Sequence, residues 1–300
     1  MKIVVAGGSG FIGQPLVTHL EGAGHDVAVL TRNPATVRAG RALLWDGKSQ
    51  GTWSDEVGSA DAVVNLAGEN IGDRRWTAKR KQDLISSRVD ATHALVEAIR
   101  GAPPRERIFI SASGANYYAA GLEQELGEDG PHGGGFLGEL TARWEGEARR
   151  VEGAARLVIL RFGVVIGAGG GALARMLLPF KLGVGGRIGS GEQWMSWIAR
   201  DDVVRIIDWA LTHPDASGVY NATAPQPVRN RDFTAAFARA IHRPAIIPIP
   251  GVALKAAFGQ MAEETLMTGQ RAVPVRATRA GFRFAHDTID SALSRALRPR

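Results

Sequence analysis

Lys2-Ile3-Val4-Val5-Ala6-Gly7-Gly8-Ser9-Gly10-Phe11-Ile12-Gly13 is the stretch that decides the fold. A short run rich in β-branched residues reads as a buried strand. Glycines follow it directly, ahead of a helical spacing of apolar residues over positions 11–23. Gly7 permits a tight turn, Gly10 lets the backbone approach a bound group, and Gly13 lets the helix pack against the strand. Free N–H groups and the positive end of the helix dipole then converge on one point, where a pyrophosphate fits. Gly7, Gly10, Phe11, Ile12 and Gly13 are therefore the expected cofactor contacts at this turn. A glycine motif alone is a weak signal. Its place between strand and helix, with a second strand at 26–30 in register, favours a dinucleotide site over an ordinary turn.

The second strand closes with Val29-Leu30-Thr31-Arg32-Asn33-Pro34. No Asp or Glu stands at its tip to hold two ribose hydroxyls, as NAD binders usually require. Thr31 and Arg32 suit a 2′-phosphate instead, because a guanidinium pairs with phosphate oxygens and stacks on adenine. NADP is the expected cofactor. The alternative for Arg32 is an exposed loop arginine in an arginine-rich chain, and Asp46 is either a contact for the adenine amine or a solvated turn residue.

Outward from this turn, strands are expected at 62–66, 107–111 and 156–161, with a weaker one at 42–45, and helices at 76–100 and 136–152. The alternation predicts an α/β, Rossmann-type doubly wound parallel sheet over residues 1–167. After Gly167 the chain turns glycine-rich and then helical, with helices expected at 201–212, 230–241 and 288–297 and an extended run at 246–250. Residues 168–300 read as a smaller C-terminal substrate-binding lobe, some segments of which return to the first domain.

Composition narrows the chemistry. The 300 residues are 45% hydrophobic and 22% charged, and no apolar run is long enough to span a membrane. No cysteine is present, which excludes disulfides, thiolate zinc sites, iron–sulfur clusters and cysteine nucleophiles. The formal charge of +6 is spread along the chain without a basic tail, so solvated faces explain it better than nucleic acid does. The seven histidines lack metal-ligand spacing, and Gly8-Ser9-Gly10 belongs to the turn and not to a hydrolase elbow. Met1 leads straight into the first strand, so a cytoplasmic protein is the expectation; a monomer or homodimer acting on a small-molecule substrate is expected as well.

Further motifs carry a resemblance. Asn65-Leu66-Ala67-Gly68 and Ser111-Ala112-Ser113 each end a strand, and Gly114-Ala115-Asn116-Tyr117-Tyr118 follows the second. Arg161-Phe162-Gly163-Val164, Ser196-Trp197-Ile198 before Asp201-Asp202, and Tyr220-Asn221-Ala222 come later, with Thr268-Gly269-Gln270-Arg271 and Ala280-Gly281-Phe282 towards the end. With the GxxGxxG turn, these make the chain similar to an atypical extended short-chain dehydrogenase/reductase. The bacterial epimerase-family subgroup, which carries its own short C-terminal domain, is the one it resembles. The resemblance implies cofactor contacts from Leu66, Ala67, Gly68, Ser111, Phe162 and Gly163. It makes Ser113 the serine that hydrogen-bonds a substrate carbonyl or hydroxyl, the alternative being a strand-end cap.

Typical members of that superfamily use a tyrosine as acid/base, with a lysine four residues later. Here Phe136 and Leu140 stand at those places, and Arg88 replaces a helix asparagine of the usual proton relay; Phe136 and Leu140 cannot move a proton. The atypical subgroup shares the Tyr/Lys loss. Tyr117 is the candidate substitute acid, with Arg88 or Arg161 as a nearby cation; the alternative is an aromatic wall. Arg161 itself either meets an anionic substrate group or anchors the second lobe. Trp76, Trp194 and Trp197 form either an apolar rim with Ser196 as a polar contact, or core. Two functions compete. One is an NADP-dependent oxidoreductase or epimerase-like enzyme on a small carbonyl or hydroxyl substrate, and the other is a non-catalytic NADP(H)-binding redox sensor.

Overall fold

The computed structural model describes residues 1–298; the last two positions of the C-terminal lobe's range, 299 and 300, lie outside the described residues. Its centre is a seven-stranded parallel sheet. The strands are β1 (Lys2–Ala6), β2 (Asp26–Thr31), β3 (Arg41–Leu44), β4 (Ala62–Asn65), β5 (Ile108–Gly114), β6 (Arg156–Phe162) and a seventh, Gly218–Ala222. Their spatial order is the seventh strand, then β6, β5, β4, β1, β2 and β3.

Alternate residues explain why the strands are apolar throughout. Ile3 and Val5 pack with Leu16, Leu20, Ile206 and Ile207 on one face. Val4 and Ala6 pack with Leu95, Ile99, Phe109 and Ala148 on the other. Both faces are covered, so neither tolerates a polar stripe. The covering helices are α1 (Gly13–Gly22) and, later in the chain, α6 (Arg200–Thr212) on the first face. On the second lie α2 (Trp53–Ser59), α3 (Ala78–Arg100) and α4 (Gly135–Arg149). The strand order reverses beside β1, between β2 and β4, which opens the crevice where doubly wound sheets bind ligands.

The ends of the expected elements shift by a few residues. Helix α1 starts at Gly13, leaving Phe11 and Ile12 in the turn, and β5 runs on to Gly114, so Ser113 lies inside the strand. Helices α2 and α5 (Gly171–Lys181) were not anticipated. Among the described residues, the expected extended run at 246–250 pairs only through Ile249, which bridges to Ile188.

Beyond residue 167 the chain builds a separate core from Trp197, Phe180, Phe233, Phe237 and Leu293, yet it sends Gly218–Ala222 back to pair with β6. Glycine lets the C-terminal segment lie flat on this lobe: a Cβ on Gly269 would collide with the Trp194 carbonyl. Ser196 Oγ completes the clip, donating to Gln270 O at 2.7 Å and accepting from Ala272 N at 2.8 Å.

Candidate functional site

The glycine turn is built as its sequence requires. Gly7 has φ +78°, and a Cβ there would stand 2.8 Å from Leu66 O, so the turn lies directly against the end of β4. Gly7 N donates to Leu30 O on the other side, which seats the turn between β4 and β2. A Cβ on Gly13 would meet the Gly7 carbonyl and come within 2.5 Å of Gly8 Cα, so close helix-to-turn packing excludes any side chain. At Gly10 the nearest atom to an added Cβ is Gly7 O at 3.2 Å, the one neighbour within 4 Å found there among the described residues. Among the described residues, the N–H groups of Ser9, Phe11, Ile12 and Gly13 find no acceptor, whereas Gly10 N and Gln14 N are bonded to Gly7 O and Gly10 O. Four unspent donors at a helix N-terminus form an anion cradle.

Side chains around the turn have distinct tasks. Phe11 packs beneath Gly167, Gly170 and Gly171, and Arg200 stacks on its ring at 4.8 Å, which locks the turn to the second lobe. Thr31, 7% exposed, accepts from Asn33 N and contacts Ser9 Oγ at 3.3 Å, so its hydroxyl shapes the loop that carries Arg32. The Arg32 side chain is 72% exposed, with Nη1 3.6 Å from Glu69 Oε1. Asp46 accepts from Lys48 N and Ser49 N, and these bonds hold its carboxyl below the usual range; it is a turn residue.

At the end of β4, Asn65 Oδ1 accepts from Ala67 N while its amide donates to Thr92, which also accepts from Trp144. Beyond it, Arg88 supports the Gly68–Glu69 loop. It donates to Glu69 O at 2.8 Å and lies so close to Gly68 that an added Cβ would meet its Cζ at 3.1 Å. Burial, then the charge of Arg80, pulls this guanidinium down to about 10.

Ser111 and Ser113 are both buried. Ser111 Oγ faces Ala112 O at 3.3 Å, and Ser113 Oγ donates to Glu145 Oε1 at 2.7 Å. Glu145 is in turn gripped by Arg161 through Nε at 2.7 Å and Nη2 at 2.8 Å, with both side chains 3% exposed. Arg161 Nη1 donates to Tyr118 Oη at 2.8 Å, and Tyr118 donates to Asn221 Oδ1 at 2.7 Å. Arg161 is therefore an internal tie between β6, α4 and the seventh strand. Its Cζ also stands 3.4 Å above the Tyr117 ring, so Arg161, and not Arg88, is the cation at that phenol. Tyr117 is half-buried against Tyr118 and His132, and its hydroxyl has no hydrogen bond among the described residues.

Burial pushes the Tyr118 phenol up to about 12, although Arg161 opposes the shift. A phenol raised in the folded state stabilises fully below its unfolded value near 10 and loses that contribution as pH rises through 12. Urea unfolding from about pH 9 to 12 is expected to show an alkaline loss of about 2–3 kcal/mol from this group. Tyr118→Phe should lack that component. An identical alkaline slope in the variant would place the titration elsewhere.

The helix that carries the positions of the missing Tyr and Lys is capped from the C-terminal segment. Phe136 N and Leu137 N donate to the Glu264 carboxylate at 3.0 and 2.8 Å, which caps α4 from 128 and 127 residues away. Leu140 is buried, and Phe136 sits edge-on to Trp76 at 5.0 Å with Lys81 Nζ 5.2 Å above its ring. Of the expected rim, Trp197 is fully buried core, Trp76 is almost buried, and Trp194 lies against Arg229 and Arg271. Phe162 closes β6. Gly163 N donates to Ala222 O, and a Cβ on Gly163 would strike the Ser196 backbone at 2.8 Å. Glu69, Glu128, Glu145 and Glu264 escaped the sequence reading. Glu69 alone had a local signal, next to the Asn65–Gly68 motif.

No helix among the described residues is long and apolar enough to cross a membrane. Two family models match the chain: the NAD dependent epimerase/dehydratase family over residues 3–223, and a domain of unknown function, DUF1731, over 249–296. Epimerase family protein Mb2239 of Mycobacterium bovis is 42% identical over 296 residues, covering 98% of this chain and 97% of that one. Human epimerase family protein SDR39U1 is 38% identical over 98% of each chain. A crystal structure of the human SDR39U1 protein (isoform 2) with NADPH superposes with a TM-score of 0.89 at 36% identity, covering 99% of both chains. The chain thus belongs to the NAD dependent epimerase/dehydratase family, with a DUF1731 domain at its C-terminal end.

Proposed function

We propose that this protein binds NADP(H) at the glycine turn and works as an oxidoreductase or epimerase-like enzyme on a small carbonyl or hydroxyl compound. The observation that carries this reading is the set of four unspent N–H donors beside an exposed arginine at the tip of β2. The NADPH in the SDR39U1 crystal structure supports it. NADP(H), when bound, supplies or accepts the hydride. The chain's own work is to hold and orient. Ser9, Phe11, Ile12 and Gly13 offer N–H groups to the pyrophosphate, Arg32 meets the 2′-phosphate with Thr31 shaping its loop, and Leu66, Ala67, Gly68, Ser111, Phe162 and Gly163 line the remaining length. Tyr117 has a hydroxyl with no hydrogen bond among the described residues and a guanidinium over its ring, and is the group proposed to give or take the proton. Ser113 is proposed to act from behind, fixing Glu145 and through it Arg161.

Titration with NADPH and with NADH, followed by nicotinamide fluorescence, tests the cofactor. Wild type should prefer NADPH. Arg32→Ala should lose about tenfold or more in NADPH affinity, the loss of a charge-assisted pair, with NADH nearly unchanged. Binding of neither cofactor overturns the reading.

Two observations favour a second reading, a non-catalytic NADP(H)-binding sensor: Phe136 and Leu140 offer no proton, and the Ser113 proton is committed to Glu145. NADPH binding that changes the oligomeric state, without turnover across a carbonyl and nucleotide-sugar screen, would favour it. Turnover abolished by Tyr117→Phe would exclude it.

A further inference from the structure

Arg32 and Glu69 come from opposite walls of the crevice. Arg32 directly follows β2, Glu69 lies four residues beyond β4, and β1 with its glycine turn runs between them. Their ion pair, at 3.6 Å, therefore spans the turn that carries the unspent N–H donors.

The two partners differ in freedom. The Glu69 backbone is fixed at both ends, its N–H donating to Ser87 Oγ at 3.2 Å and its carbonyl accepting from Arg88 at 2.8 Å. Its second carboxylate oxygen is bonded to Arg80, whose side chain is 3% exposed and which also donates to Asn70 O at 2.6 Å. Burial raises the Glu69 carboxyl, but Arg80 and Arg32 outweigh it and hold the group below the usual range, so it is charged at neutral pH. Arg32, in contrast, is 72% exposed, and Glu69 is its one ionic partner among the described residues. Glu69 is a fixed anion and Arg32 a cation able to swing.

We propose that Glu69 is a specificity-determining residue whose carboxylate competes with the cofactor's 2′-phosphate for Arg32. This rests on the NADP(H) reading above. A 2′-phosphate carries nearly two charges and three acceptor oxygens, so it displaces a single carboxylate already shared with Arg80. A cofactor without that phosphate has nothing to exchange, and Arg32 stays paired across the turn. Selectivity is then a difference between two anions for one guanidinium, and Glu69 sets its size.

The test is a cycle of wild type, Glu69→Gln, Arg32→Ala and the double variant, each titrated with NADPH and NADH. Glutamine keeps an acceptor for Arg80 while removing the charge. An exposed ion pair shifts an equilibrium by about two- to fivefold. Glu69→Gln should therefore tighten NADPH by about two- to fivefold, leave NADH within about twofold, and change neither in the Arg32→Ala background. Asp73→Asn is the control. From the same loop as Glu69, it loosens ion pairs to Arg80 on α3 and Arg175 on α5 without touching Arg32, and should leave the preference unchanged. Should Glu69→Gln fail to fold, Glu69→Asp draws the carboxylate one methylene back and should tighten NADPH in the same direction. Unchanged or weaker NADPH binding in Glu69→Gln, or equal tightening without Arg32, overturns the proposal. Wild type that prefers NADH overturns the NADP(H) reading itself. An Arg32-dependent NADPH preference that ignores Glu69 sinks this inference alone.

Discussion

Arg161→Met is expected to lower the unfolding free energy by about 3–5 kcal/mol, because it strands a carboxylate inside the protein. Glu145 is 3% exposed and receives two of its bonds from that guanidinium. What remains is the Ser113 hydroxyl and a distant contact to Arg149 at 3.8 Å. Methionine fills much of the volume and meets the tyrosine rings, so the loss comes from the unpaired charge and not from a cavity. The double variant Arg161→Met/Glu145→Leu removes both charges and should recover most of the loss, since a buried pair is often replaceable by apolar residues at little cost. Urea denaturation of the two variants reads the difference. A single variant within about 1 kcal/mol of wild type would mean that water reaches Glu145.

The second large effect falls on the turn. Gly13→Ala places a Cβ 2.5 Å from Gly8 Cα and against the Gly7 carbonyl, backbone atoms that cannot rotate away. Forcing α1 off the turn is expected to destabilise the fold by about 1–3 kcal/mol. It also tilts the Phe11, Ile12 and Gly13 donors from their common focus. Hydrogen bonds to a charged pyrophosphate are worth about 1.5–3 kcal/mol each, so NADPH affinity should fall by at least about tenfold. Gly22→Ala, with open space around its Cβ, is the matched control on the same helix. Equal binding by both variants would remove Gly13 from the cofactor site.

The fold was legible because its information is local. The runs at Lys2–Ala6 and Ala62–Asn65 are apolar on both faces, and Gly7 and Gly13 are the residues that a strand–turn–helix junction demands. The second lobe was less legible. Its close approaches are glycine against carbonyl, as at Gly269 and Trp194, and nothing in the hydrophobic pattern marks which carbonyl a glycine will face. The polar interior was hardest to read. Ser113, Tyr117 and Arg161 were singled out, but the acids that decide their roles were not. Glu145 is an ordinary helix glutamate in sequence, distinguished only because its turn of α4 faces β5 and β6. Glu264 and Glu128 act on partners more than 90 residues away, at Phe136 and Asn221. Arg161 read equally well as a substrate contact or an anchor, and only the geometry shows it committed inward.

The return of Gly218–Ala222 to the sheet has a consequence for how the protein is made. Its neighbour β6, with Leu157, Val158, Ile159 and Leu160 all buried in the finished fold, leaves the ribosome well before the strand that covers it. Until α5, α6 and then Gly218–Ala222 have been synthesised, that edge carries unpaired backbone groups flanked by apolar side chains, a template for pairing with another chain. The nascent protein is thus most exposed to aggregation after β6 has emerged and before Gly218–Ala222 follows, and chaperone capture should peak there.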